Sequence, residues 1–192
     1  MIIGITGGTG CGKTTLLNLI EEQGGLVLDC DAIYHELLQR DKSLLSAIEA
    51  RFPGTVEHGC LQRKKLGAIV FSDPEALEDL NRITHGAVRE EVRRRLAAEP
   101  KLAAIDAIAL FEGELSQFCN VTVAITAPKE DRIQRLMIRD NISQEYAKKR
   151  IESQHAEGWF REHCTYVLEN NETKMQFHKK CLAFLQELDI ME

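Results

Sequence analysis

Gly7-Gly8-Thr9-Gly10-Cys11-Gly12-Lys13-Thr14 is the stretch on which the fold turns. It fits G-x-x-x-x-G-K-S/T, and phosphate binding needs each of these residue types. Glycines let successive backbone N–H groups turn inward around an anion. A helix that opens there adds its positive N-terminal end. The Lys13 ammonium can reach the β- and γ-phosphates, and the Thr14 hydroxyl can bind Mg²⁺. The candidate nucleotide site is therefore Gly8, Thr9, Gly10, Cys11, Gly12, Lys13, Thr14 and Thr15. A glycine-rich turn matches this pattern by accident in a chain of this size on the order of 1% of the time. Context separates the two readings: an apolar run precedes the loop, and Leu16, Leu17, Leu19 and Ile20 follow it at helical spacing.

Outward from the loop, apolar runs alternate with helical periodicity. Met1-Ile2-Ile3-Gly4-Ile5-Thr6 reads as a short buried strand, and a helix over 12–23 ends at Gly24-Gly25. Leu26-Val27-Leu28 is a second strand, closing on Asp29-Cys30-Asp31. Residues 32–51 predict a helix, Pro53-Gly54 a break, and Gln62 to Val70 a short helix. A cap at Ser72 or Asp73, with Pro74 in the first turn, opens another helix. That helix is expected to break near His85-Gly86, resume through Arg95 and stop before Pro100. Leu102 to Leu110 (with Asp106 inside), Val121 to Ile125 and Tyr166-Val167-Leu168 are the remaining strands, and helices are expected over 129–140, 143–156 and 173–188. Strands alternating with helices predict an α/β fold with a mainly parallel sheet. Two helical stretches, 32–90 and 129–157, read as insertions on its rim.

The chain has 192 residues, enough for one compact α/β domain with inserted lobes. Its net charge of −6 argues against a protein that coats nucleic acid, which carries a basic face. No run approaches the roughly 20 apolar residues of a membrane helix. No basic segment precedes the first apolar run, so an export signal is not expected either. The six cysteines (Cys11, Cys30, Cys60, Cys119, Cys164 and Cys181) form no C-x-x-C pair, which disfavours zinc. They read as reduced thiols of a cytoplasmic protein, most of them core residues, with Cys11 set in the loop where it could be reactive.

A phosphate loop announces a nucleoside triphosphate, not a reaction. The N-K-x-D and D-x-x-G segments of GTPase switches are absent. Asp31, just past the second strand, falls on the rim that a parallel sheet shares with the loop, where a carboxylate can take the proton of an acceptor hydroxyl. Asp29 could do the same, and either residue equally suits a cap for the helix near Ala32. Arg132, Arg135 and Arg139, three and four apart, fall near one helix face, with Arg150 on the next helix. Beside a phosphate loop the cluster suits a lid that closes on the triphosphate. Taken singly, each arginine suits an ordinary ion pair with Asp131, Asp140 or Glu145.

Several segments, in order and over nearly the whole chain, resemble the dephospho-CoA kinase family. They are Gly4 to Thr14; Asp29-Cys30-Asp31; Leu61 to Phe71 followed by Leu80-Asn81-Arg82-Ile83-Thr84-His85; and Leu110-Phe111-Glu112. Arg135-Leu136, Arg139-Asp140, Arg150-Ile151 with Gln154, and Tyr166-Val167-Leu168 with Asn170 complete the set. The resemblance implies a P-loop kinase fold: a five-stranded parallel sheet flanked by helices, with a helical acceptor-binding lobe and a lid. It implies transfer of the ATP γ-phosphate to the ribose 3′-hydroxyl of dephospho-CoA, with Mg²⁺, in the last step of coenzyme A synthesis. Residues 1–31, 91–128 and 158–192 would then form the nucleotide-binding core, 32–90 the CoA-binding insertion and 129–157 the lid. By resemblance Asp31 is the general base, Lys13 and Thr14 serve ATP and Mg²⁺, and Arg139, with Arg150, belongs to the lid. Arg63, His85 and Glu112 fall at motif positions near the acceptor.

The chain departs from the family at Ile108, Gln62, Gly86 and Thr165, where Pro, Asp, Pro and Asp are common. Two other readings stand beside this one: a P-loop kinase for a nucleotide or vitamin precursor, and a protein that holds nucleotide or CoA without turnover. Oligomeric state is not legible in the sequence.

Overall fold

The computed structural model describes residues 1–190. Strand β1 (Ile2–Thr6) is buried from Ile3 onward, so it can only be a central strand covered on both faces. It pairs in parallel with β5 (Ala103–Asp106) and with β6 (Val121–Thr126), setting Ile5 opposite Asp106 on one side and Val123 on the other. With β2 (Leu26–Asp29) and β7 (Tyr166–Glu169) these strands make a five-stranded parallel sheet in the order β2-β5-β1-β6-β7. Helix α1 (Thr14–Glu22) buries Leu16, Leu17, Leu19 and Ile20, and helix α9 (Lys174–Glu187) buries Phe177, Cys181, Phe184 and Leu185. Both rows join Ile3, Ile5, Val123 and Ile125 in one core cluster. Thr173 and Gln176 start α9 with reciprocal capping bonds, which satisfies amides that the helix itself leaves open.

The chain divides into two compact units: residues 1–28, 100–110 and Ser116 onward, and Asp29–Glu99 with Phe111–Leu115. The first holds the sheet and also the stretch read as a lid. There α6 (Lys129–Asp140) and α7 (Gln144–Glu152) have a small core of their own, Ile133, Leu136, Ala147 and Ile151, edged by Ile142. Asn141 turns between them in the left-handed conformation that asparagine tolerates. A further short helix, α8 (Glu157–His163), lies where none was expected. Thr165, one of the departures, exchanges hydrogen bonds with Thr122 across β6 and β7.

The second unit corrects several expectations. Residues 32–51 are not one helix but α2 (Cys30–Arg40) and α3 (Lys42–Arg51). Asp41 is extended and its carboxylate accepts from Ser43 and Leu44 N–H, so it starts a new helix rather than continuing the old one. A two-stranded hairpin, β3 (Val56–Glu57) and β4 (Cys60–Leu61), precedes α4 (Arg63–Val70). Its turn residues His58 and Gly59 both have positive φ, as a tight hairpin requires. Helix α5 (Pro74–Leu96) starts at the Asp73 cap and runs through His85-Gly86 without the expected break. Glycine inside a helix costs only about 1 kcal/mol against alanine, and burial of Ala76, Thr84, Val88 and Val92 along one face outweighs it. The run from Leu102 to Leu110 is strand only to Asp106; turns follow. Of the cysteines, Cys11, Cys30 and Cys181 are buried, Cys119 and Cys164 are half-buried and Cys60 is exposed, so the expected core majority is only three of six.

Candidate active site

The phosphate loop joins β1 to α1, and two of its amides are already spent. Thr9 N–H donates to Gln154 Oε1 at 2.9 Å, and Cys11 N–H to the Gly8 carbonyl at 3.2 Å. The amides of Gly8, Gly10, Gly12, Lys13 and Thr14 have no hydrogen-bond partner among the described residues. Open N–H groups in succession are what a phosphate chain can occupy. Gly12 must be glycine here: its φ is +99°, and a Cβ would stand 2.4 Å from the Asn170 side-chain nitrogen. That Asn170, buried at the end of β7, donates to the Cys11 carbonyl at 2.8 Å and braces the far side of the loop. Beside it a cavity of about 220 Å³ is lined by Gly12, Thr15, Arg135, Asn170, Lys174 and Phe177. Cys11 is 2% exposed, and burial pushes its thiol up despite Arg132, Lys13 and Arg135 nearby. It stays protonated at neutral pH and is not a reactive thiolate.

Lys13 folds back over the loop. Its Nζ donates to the Gly7 carbonyl at 3.3 Å and lies 3.8 Å from Asp106 Oδ1. Asp106 is a functional candidate that the motif analysis left out, although an acid inside an apolar strand was the signal. The β1–β5 register puts it opposite Ile5, at the strand ends from which the loop departs. The exposed Thr14 hydroxyl and the Asp106 carboxylate offer oxygen donors of the kind a hard divalent cation takes. No cluster of three or more His, Cys, Asp or Glu residues that could hold a metal alone occurs among the described residues. The donor set fits a Mg²⁺ whose other ligands are phosphate oxygens and water.

The arginines of the α6–α7 hairpin part company. Arg132 donates to the Thr9 carbonyl at 2.9 Å, and Arg135 to the Gly10 carbonyl at 3.2 Å. Arg139, by contrast, grips Asp140 with two hydrogen bonds of 2.6 and 3.0 Å, and Arg150 donates to the same carboxylate at 2.6 Å. Arg139 first, then Arg150, hold the Asp140 carboxyl down at about 2. The structure therefore brings Arg132 and Arg135 to the loop and leaves Arg139 in an ion pair.

The second unit contains Asp31, Arg63, His85 and Glu112 together. Asp29 and Asp31 separate clearly. Asp29 is the cap of α2, its carboxylate accepting from Ala32 N–H at 3.0 Å. Asp31 stands exposed in the first turn of α2, with no hydrogen bond or ion pair among the described residues. Arg63, exposed at the start of α4, approaches His35 Nδ1 at 3.3 Å. Tyr34 is close by: burial pushes its hydroxyl up, and Arg63 pulls the other way. The sequence reading did not single out Tyr34 or His35, which lie one helical turn beyond Asp31. His85 is half-buried on α5, and Glu112 is exposed in the turn that follows Phe111.

Among known proteins, the family model described as dephospho-CoA kinase matches residues 1–176. A dephospho-CoA kinase of Syntrophotalea carbinolica is 33% identical over 194 residues, covering 98% of this chain and 92% of its own length. A crystal structure from Thermus thermophilus superposes with a TM-score of 0.82 at 35% identity, covering 98% of this chain and 97% of its own. The dephospho-CoA kinase from Campylobacter jejuni does so with a TM-score of 0.68 at 26% identity, covering 97% and 96%.

Proposed function

The chain belongs to the dephospho-CoA kinase family, and on that premise we propose how its residues divide the reaction. The protein is an ATP-dependent kinase acting on a hydroxyl acceptor, and the reaction turns dephospho-CoA into CoA, the last step of coenzyme A biosynthesis. One observation carries the donor side: the open amides of Gly8, Gly10, Gly12, Lys13 and Thr14 form a cradle roofed by the Lys13 ammonium. These groups hold the triphosphate. Lys13 offsets charge that develops on the oxygen between the β- and γ-phosphates as that P–O bond breaks.

On the acceptor side Asp31 is the base. It takes the proton of the ribose 3′-hydroxyl while that oxygen bonds to the γ-phosphorus, and ADP departs with the bridging oxygen's electrons. The assignment rests on Asp29 occupying the cap position, which leaves the Asp31 carboxylate free to accept a proton. Arg63, His85 and Glu112 bind the acceptor in the 32–90 lobe and the turn at 111–114, and residues 129–157 act as the lid. Arg139 exchanges Asp140 for phosphate when the lid closes. Thr14 and Asp106 would hold Mg²⁺, which when bound neutralises phosphate charge. ATP and dephospho-CoA are the partners, with no nucleic acid. No helix among the described residues is long and apolar enough to cross a membrane, and a cytoplasmic location is part of the proposal.

The test is a purified-protein assay with ATP, Mg²⁺ and a panel of hydroxyl acceptors, with the product mapped by phosphorus NMR. Phosphate is expected on the 3′-oxygen of dephospho-CoA. Transfer to another acceptor only, or tight nucleotide binding with no ADP formed, would overturn the reading.

A further inference from the structure

Thr9 lies between Gly8 and Gly10, so the peptide planes on either side of it carry little steric restraint of their own. Both are pinned from outside. Gln154 Oε1 accepts from Thr9 N–H at 2.9 Å and holds the plane between residues 8 and 9. Arg132 Nε donates to the Thr9 carbonyl at 2.9 Å and holds the plane between residues 9 and 10. The two side chains brace each other, since Arg132 Nη2 donates to the same Gln154 oxygen at 3.0 Å. A trans peptide sets its C=O and N–H in opposite directions. Drawing the Thr9 carbonyl toward Arg132 therefore turns the Gly10 N–H away from it, to join the open amides. The guanidinium sits so close over the loop that a Cβ on Gly8 would meet Nη2 at 2.1 Å. Arg132 also has no carboxylate in ion-pair range among the described residues, whereas Arg135 pairs with Asp131 and both Arg139 and Arg150 pair with Asp140.

We infer that Arg132 and Gln154 are positioning residues for the phosphoryl donor: a clasp through which the 129–157 hairpin sets the Thr9 peptides and aims the Gly10 amide at the triphosphate. The inference rests on the reading that this loop takes ATP. It predicts that geometry, not charge alone, is what Arg132 contributes. A lysine keeps the charge but cannot span the Thr9 carbonyl and Gln154 together.

The experiment measures ATP affinity by calorimetry without acceptor, then kcat and both KM values, for Arg132→Lys, Arg132→Met, Gln154→Leu, Gln154→Glu and the Arg132→Met/Gln154→Leu double variant. Arg132→Lys and Arg132→Met are both expected to weaken ATP binding about tenfold, with KM for dephospho-CoA unchanged. Gln154→Leu should match them, Gln154→Glu should stay within about twofold of the parent because its carboxylate still accepts both bonds, and the double variant should be no worse than either single. Wild-type ATP affinity in Arg132→Lys would overturn the clasp in favour of simple charge. Equal damage in Gln154→Glu and Gln154→Leu, or additive losses in the double variant, would overturn it as well. Melting curves confirm that Arg132→Lys is folded. A protein that binds ATP but leaves dephospho-CoA unphosphorylated would refute the functional reading while the affinity series still decides the clasp.

Discussion

In the first unit the amides of Gly8, Gly10, Gly12, Lys13 and Thr14 are left open, whereas in the second the carboxylate of Glu91 is taken by three guanidinium groups at once. The first unit has the sheet, with Ile3, Ile5, Ile105 and Ile125 wholly buried, and can hold a glycine loop in an unsatisfied shape because strand and helix around it are fixed. The second has no such sheet, only helices and a two-stranded hairpin, and leans on charge. Arg94, Arg95 and Arg40 hold the Glu91 carboxyl at about 2 against the cost of its burial, and Asp79 takes both Arg51 and Arg82. Glu49 accepts the Gly54 and Val56 amides and so fixes the entry to the β3–β4 hairpin. The loop of the first unit keeps its amides available for a ligand; around Glu91, Asp79 and Glu49 of the second the polar groups are consumed by the fold. Asp31, whose carboxylate has no partner among the described residues, differs from these three acids, which is why it reads as chemistry rather than architecture.

The sharpest way to break this contrast is Lys13→Ala, expected to lower kcat/KM about 10³-fold in steady-state assays by removing charge at the β/γ-phosphates; unchanged kinetics would end the cradle model. Asp31→Asn should cost about 10²-fold in kcat with ATP affinity, read by calorimetry, unaltered. A normal rate would leave Asp31 as a first-turn acid of α2 and nothing more. Glu91→Gln should lower unfolding free energy by about 2 kcal/mol in urea titrations, because it strands three arginines around a neutral group, while ATP affinity holds. The Glu91 carboxyl sits at about 2 in the folded protein against 4.5 for the unperturbed group. Its stabilisation is therefore complete above the higher value and drains away as pH falls from there toward the lower one. The urea midpoint of the parent should drop across that window more steeply than that of Glu91→Gln. Arg139→Ala is the smallest effect: about tenfold in kcat if the side chain leaves Asp140 for phosphate. A loss confined to stability, well under 1 kcal/mol, would show a surface ion pair and nothing more.

The same contrast marks what could be read without coordinates. The loop, its strand and its helix were legible because their signals are contiguous: apolar run, glycine cluster, lysine, then helical periodicity. A cap at Ser72 or Asp73 with Pro74 behind it, which the structure assigns to Asp73, and the final helix were legible for the same local reason. The helical unit was less so. Asp41 falls in mid-run of the stretch read as one helix, and only its bonds to Ser43 and Leu44 make it a start signal. His85-Gly86 looked like a break because the burial that carries α5 past it comes from other helices. Asp106 was visible as a lone acid in a strand but had no role until the β1–β5 register set it near Lys13.

Sequence alone determined the class of chemistry, because cradling a phosphate needs a short run of consecutive backbone groups and eight adjacent residues can encode it. It also named Asp29 and Asp31 as the candidate proton acceptors. Which of the two caps α2 is a local matter that two equally suitable acids left open, and the bond from Ala32 N–H to Asp29 answers it. Which arginines reach the loop, and which amides remain open, were decided only by tertiary structure, because they depend on partners such as Gln154 and Arg132, more than a hundred residues from Thr9, whose distances of about 3 Å no local pattern can specify.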